Sequence, residues 1–175
     1  MVYGNTATYY GKGNIETKEN HTHKWKLYLK PFYNEDLSRF VRKVVFKLHE
    51  SYAENQRTIE KPPYVVEETG WGEFEAQIKI YFHDPSEKAV TAYHYLRLFQ
   101  QQNAQHAASQ TPTIAKEVVS EYYDEIVFRD PTMHMHRLLQ SMGGARRQIG
   151  RHETDLDYRK TRTHQLVVQA KEQVL

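Results

Sequence analysis

From Trp25 the chain alternates. Trp25, Leu27 and Leu29 fall on one face and Lys24, Lys26, Tyr28 and Lys30 on the other, which is the two-residue period of a half-buried strand, and Pro31 ends it. After the polar turn Asn34-Glu35-Asp36 the alternation resumes over Val41 to Leu48, with Val44, Phe46 and Leu48 opposed to Val45, Lys47 and His49. The most regular stretch follows Gly70-Trp71-Gly72: Phe74, Ala76, Ile78, Ile80 and Phe82 point one way, Glu73, Glu75, Gln77 and Lys79 the other. Asp84-Pro85-Ser86 turns the chain into a further strand within Ala89 to Phe99, and Val118 to Phe128 supplies another. Lys61-Pro62-Pro63-Tyr64 marks an edge or a loop, because each proline removes a ladder donor. Short strands with no interleaved helices predict an all-β fold, an antiparallel sandwich.

The flanks read differently. Residues 1–20 are polar and glycine-dotted, so they are expected to form an extended lead-in that packs only locally, with the sandwich spanning 21–130. Residues 100–113, rich in Gln, Ala, Ser and Thr, cannot bury a core and are expected to be a mobile loop. Asp130-Pro131 fits a helix cap followed by a first-turn proline, predicting a short helix over 131–142 that carries Met135, Leu138 and Leu139 and ends at Gly143-Gly144. From 145 to 175 Ile149, Leu156, Thr163 and Ala170 stand at heptad spacing, the signal of a coiled-coil helix expected to continue past Leu175.

Composition narrows the function. Lys and Arg number 24 against 22 Asp and Glu, far below the concentrated basic excess that phosphate-backbone binding usually needs, so nucleic acid is not expected as the leading partner and no direct sequence-specific binding is expected. There is no cysteine, which excludes disulfides and thiolate chemistry and fits a reducing compartment. No apolar run is long enough for a membrane span, and Met1 to Tyr10 lacks a signal-peptide core, so a soluble, non-secreted protein is expected.

Candidate chemistry is sparse. His21-Thr22-His23, with His49, could approach a metal, but no third ligand is identifiable, so no metal or other cofactor is expected. No Gly-x-Ser-x-Gly, phosphate-cradling glycine loop or His-Glu-x-x-His pattern occurs, so no enzyme is expected either. Two strand-end segments stand out: Leu48-His49-Glu50-Ser51-Tyr52 and Glu68-Thr69-Gly70-Trp71-Gly72-Glu73-Phe74. If those loops converge, Tyr52 and Trp71 could face each other across a slot, with the Ser51 hydroxyl and the Trp71 backbone N–H as donors. The competing reading makes Trp71 a core residue; its glycine neighbours Gly70 and Gly72 favour a turn where backbone can approach a ligand.

These segments resemble a YEATS domain. The resemblance runs through His21-Thr22-His23-Lys24-Trp25, Val44 to Tyr52, Lys61-Pro62-Pro63-Tyr64, Glu68 to Phe74, Ile80-Tyr81-Phe82, Tyr93-His94 and Tyr122 to Phe128. Tyr3-Gly4-Asn5-Thr6-Ala7 and Gly150-Arg151-His152-Glu153-Thr154 resemble the lead-in and the tail helix of fungal members that pair this domain with a C-terminal coiled coil. The resemblance implies an immunoglobulin-like sandwich that reads acylated lysine, acetyl or crotonyl, on histone tails, most of all histone three. It also implies a nuclear subunit shared by histone-acetyltransferase and histone-variant-exchange complexes. By the same resemblance Tyr52 and Trp71 sandwich the acyl-lysine amide, Ser51 and the Trp71 N–H bond it, His49, Gly70, Gly72 and Phe74 line the slot, and His21 sits at its rim. At His94-Tyr95 some relatives carry an acidic residue near the peptide's basic flank. The alternative function is an assembly or histone-chaperone-like scaffold, with the tail helix either homodimerising or binding another subunit.

Overall fold

The structure, a computed structural model, describes residues 1–10, 20–99, 117–142 and 161. The mobile-loop expectation for 100–113 and nearly all of the coiled-coil expectation for 145–175 lie outside these residues. The described residues form eight strands: β1 Val2–Tyr9, β2 His23–Lys30, β3 Val41–Lys47, β4 Gln56–Ile59, β5 Tyr64–Gly70, β6 Phe74–Phe82, β7 Val90–Leu96 and β8 Val118–Tyr123. They make two antiparallel sheets, ordered β5-β2-β1-β8 and β4-β3-β6-β7, that pack as an immunoglobulin-like sandwich.

The alternation read from the sequence sets which face is inside. Trp25, Leu27 and Leu29 of β2 meet Val44 and Phe46 of β3 and Ala76, Ile78 and Ile80 of β6 in one continuous core. Fully burying a side chain of this size contributes about 1.5–3 kcal/mol, so these few positions dominate the favourable side of folding.

The amino-terminal residues depart from expectation. Residues 2–9 are no locally packed lead-in: β1 runs between β2 and β8 and pairs with both. Its inward side chains include Asn5, wholly buried, whose Oδ1 accepts from His94 Nε2 (2.8 Å) and the Arg97 backbone N–H (2.9 Å) while its Nδ2 donates to the Arg97 carbonyl (2.7 Å). One polar side chain thus ties β1 to the end of β7, across the two sheets. On the outer face Gly4 lies between Tyr28 and Glu121, and the Tyr28 hydroxyl donates to Glu121 Oε1 at 2.6 Å over it. A Cβ at Gly4 would stand 2.8 Å from Glu121 Cα and nearer still to the Ser120 carbonyl, so only glycine fits.

Pro62 and Pro63 precede β5, which is an edge strand, in keeping with their lack of ladder donors. The helix α1, Met133–Gln140, starts later than the Asp130-Pro131 cap predicted. Thr132 is the cap, its hydroxyl accepting from the Met135 N–H and donating to Asp84, while Asp130 takes a left-handed φ of 48°. Met135 is buried, and Leu138 and Leu139 pack against the core, so the expected apolar face is the one used.

Candidate functional site

The site lies at one end of the sandwich, where the turn after β3 meets the turn between β5 and β6. The first turn is closed by the Tyr52 N–H donating to the His49 carbonyl at 3.1 Å. Within it the Ser51 backbone N–H donates to His49 Nδ1 at 3.2 Å, and the Ser51 hydroxyl lies 3.0 Å from the same nitrogen. An Nδ1 that accepts places the histidine proton on Nε2, an assignment made from this hydrogen-bond network.

Tyr52 reaches across to the second loop. Its hydroxyl donates to the Thr69 carbonyl at 3.1 Å, and its ring packs against Trp25 (5.8 Å between centroids) and Phe74 (5.8 Å). Trp25 and Phe74 are themselves edge to face at 5.9 Å, and His49 tilts against Phe74 at 6.1 Å. Such aromatic contacts fix the Tyr52 plane before any ligand arrives. Burial pushes the Tyr52 phenol up, partly offset by the Trp25 indole N–H close by, so the hydroxyl stays protonated and remains a donor.

Trp71 is not a core residue, whereas Tyr52 does pack against the core. Trp25 is the buried tryptophan; Trp71 is 67% exposed, in the bend between β5 and β6, and its ring contacts no other aromatic ring among the described residues. Gly70 lies beneath: a Cβ there would stand 2.7 Å from the Tyr52 hydroxyl oxygen and 3.2 Å from Trp25 Nε1. Gly72 has open space around it, so its part is the backbone bend and not a tight fit. Gly70→Ala should therefore tilt Tyr52 out of place and weaken ligand binding by roughly tenfold or more, since a misplaced contact forfeits about 1–2 kcal/mol. Comparing peptide affinity and near-ultraviolet circular dichroism for Gly70→Ala and Gly72→Ala checks this; equal effects would contradict it.

His21 stands just before β2, its Nδ1 2.7 Å from Thr69 Oγ1, so Thr69 holds both His21 and Tyr52. Thr69 lies within the Glu68 to Phe74 segment but carries no chemical signal in the sequence that marks it as a site residue. Trp25, the floor beneath Tyr52, was read only as core. Glu73 was also missed: it accepts from the Leu98 N–H (2.8 Å) and the Phe99 N–H (3.2 Å) and pairs with Arg97 at 3.2 Å, fixing the end of β7 beside the site. His94 is buried at the core and Tyr95 is exposed, so of that pair only Tyr95 faces solvent.

His23 is buried on β2, near Thr22 Oγ1 (2.9 Å) and against the Tyr9 and Phe99 rings, and burial pushes its pKa down. Among the described residues no group of three or more His, Asp or Glu could hold a metal ion. A separate groove of about 800 Å³, lined by Lys26, Tyr28, Pro62, Pro63, Glu35 and Asp36 among others, contains none of the predicted site residues.

A sandwich that presents an exposed tryptophan and an anchored tyrosine on two turns joined at one end has the form of a loop-based binding module. The sequence profile of the YEATS family matches residues 20–100. Protein AF-9 homolog of Kluyveromyces lactis is 43% identical over 152 residues, 82% of this chain and 69% of that relative. Among solved structures, the Yaf9 YEATS domain bound to an acetylated histone H3 peptide shares 42% identity over 80% of this chain and 90% of that one, with a TM-score of 0.68. The Yaf9 YEATS domain recognising a succinylated H3 peptide shares 41% identity over the same fractions, with a TM-score of 0.65. The chain belongs to the YEATS family, alongside the AF-9 homologs.

Proposed function

We propose that this protein reads acylated lysine on histone H3 tails, with the acyl amide lying between Trp71 and Tyr52. The observation that carries the reading is a Tyr52 held by Trp25, Phe74 and Thr69 with its hydroxyl against Gly70, the residue that precedes the solvent-exposed Trp71, in a chain that is 42% identical to a protein solved with an acetylated H3 peptide.

The chemistry follows from charge. Acylation turns the lysine ammonium into a neutral amide, which an aromatic slot can desolvate; an unmodified lysine would leave its charge unpaired there. In this reading the Ser51 hydroxyl and the Trp71 backbone N–H bond the amide, His49, Gly70, Gly72 and Phe74 line the slot, and His21 forms the rim. Two or three hydrogen bonds at about 1 kcal/mol each, with one aromatic sandwich at about 0.5–1.5 kcal/mol, give modest affinity once the tail is ordered. A slot open at its far end also admits a crotonyl group.

Modest affinity makes tethering useful. Membership of histone-acetyltransferase and histone-variant-exchange complexes in the nucleus, through a tail helix that homodimerises or binds another subunit, would supply it. The protein then acts by binding and recruits chemistry performed by its partners.

Titrating matched acetylated, crotonylated and unmodified H3 peptides into the wild type and Trp71→Ala tests this. We expect the acylated peptides to bind at least tenfold tighter than the unmodified one, and the variant to lose at least tenfold. Its unfolding free energy should stay within about 0.5 kcal/mol of wild type, because Trp71 is exposed. Equal binding of all peptides would sink the reading and favour the scaffold function.

A further inference from the structure

The turn that carries Ser51 belongs to a projecting loop with acidic flanks. Residues 48–55 link β3 to β4, and the loop is closed at its neck, where the Leu48 N–H donates to the Asn55 carbonyl at 2.7 Å. Beyond that neck Glu50, Ser51, Ala53 and Glu54 are all exposed, the Glu54 side chain at 80%. Such a tip is open to a second protein. Among the described residues the Ser51 hydroxyl meets one polar partner, His49 Nδ1 at 3.0 Å, and the Glu54 carboxylate meets Arg57 only at 3.7 Å, a loose surface pair. Both groups are therefore free to engage an incoming protein. Among the chain's serines Ser51 alone has a carboxylate three residues on, Glu54, and Glu50 stands immediately before it. The one serine placed in the proposed slot is thus also the one in an acidic local sequence.

We propose that Ser51 is a phosphorylation site for an acid-directed serine kinase that reads Glu54, and that the phosphate switches off acyl-lysine reading. A kinase of this class lines its substrate groove with basic side chains, so a carboxylate placed after the target serine is attracted and a basic one is rejected. The charge pattern selects Ser51. In the transfer the γ-phosphoryl group of a nucleoside triphosphate bonds to Ser51 Oγ, its bond to the β-phosphate oxygen breaks, the diphosphate leaves, and the hydroxyl proton passes to the kinase's carboxylate base. The consequence for the slot follows from charge. The phosphate removes the hydroxyl that bonds the acyl amide and sets about −1.5 to −2 charges and three acceptor oxygens in its place. A neutral amide, which offers its carbonyl oxygen there, is repelled, whereas the ammonium of an unmodified lysine is attracted. The acyl preference collapses from both sides. This inference rests on the peptide reading given above and adds a control to it.

The test treats the full, folded chain with a purified acid-directed serine kinase and ATP, maps the phosphate by mass spectrometry, and titrates acetylated and unmodified H3 peptides before and after. One phosphate on Ser51 is expected. Glu54→Gln, which lies outside the peptide site, should cut its incorporation by about fivefold or more while leaving acetylated-peptide affinity unchanged. In the phosphorylated chain the preference for acetylated over unmodified peptide should fall by about tenfold or more, and phosphatase treatment should restore it. Melting curves recorded on both forms report that the fold is intact. Phosphate that enters Ser51 only in heat-unfolded chain, or equally well in Glu54→Gln, overturns the site. A phosphorylated chain that prefers the acetylated peptide as strongly as before overturns the switch. If the unphosphorylated chain shows no preference, the reader function itself fails and the switch falls with it, a result distinct from a preference that survives the phosphate.

Discussion

Asn5→Ala should destabilise the protein by roughly 3–5 kcal/mol, an effect far above that of most single substitutions. The side chain is wholly buried and makes three hydrogen bonds, to His94 Nε2, the Arg97 N–H and the Arg97 carbonyl. Alanine would leave two donors and one acceptor without their partner, each costing about 1–3 kcal/mol before relaxation. Urea titration would show a lower midpoint at an unchanged slope. A loss under about 1 kcal/mol would mean that water enters and replaces the amide.

Mild acid should act through the same cluster. Because His94 Nε2 donates to Asn5 Oδ1, its bare nitrogen is Nδ1, which is buried with no partner among the described residues. Burial, with Arg97 adding repulsion, pushes the His94 pKa down to about 4. An unfolded histidine titrates near 6.5, so between those values the unfolded chain holds a proton that the folded chain refuses. Stability is therefore full above about pH 6.5 and falls as the pH drops toward 4, by ~3 kcal/mol over the whole window. Asp36 and Asp84, whose hydrogen bonds to Ser38 and Thr132 hold their carboxyls below the usual range, add a further loss only at lower pH. Denaturant midpoints of wild type and His94→Gln from pH 7 to pH 4.5 check this. The glutamine keeps an N–H for Asn5 and does not titrate, so its slope should be the shallower; parallel curves would acquit His94.

The core strands were legible because their inner faces carry little besides large apolar residues, as in Ala76, Ile78 and Ile80. β1 was not legible for the opposite reason. Its inward positions are Tyr3, Asn5 and Ala7, its outward ones include Gly4 and Thr6, and what holds it is pairing on both sides plus one amide network. Nothing of that appears as hydrophobic period. β5 was hidden similarly, since its inward Glu68 is compensated by Arg57 at 2.8 Å, a pairing visible only in three dimensions. At the site, the residues that stand out chemically, Tyr52 and Trp71, could be picked from the sequence because an aromatic beside glycine or serine at a strand end is unusual. Thr69, Trp25 and Glu73 position others and touch no ligand in the proposed reading, so they carried no such signal.

The placement of β1 has a consequence for how the chain is born. Among the described residues β8 pairs with β1 alone, so Val2 waits for Tyr123. The β4-β3-β6-β7 sheet and the β2–β5 pairing need nothing beyond residue 96 and can form while the rest is still being made. During synthesis the first strand can pair along one edge alone, its other edge exposed and available to a neighbouring chain. The Gly4 notch, where Tyr28 and Glu121 meet only once β8 has docked, is then the last latch to close. A nascent chain stalled before residue 118 would be the form most in need of a chaperone.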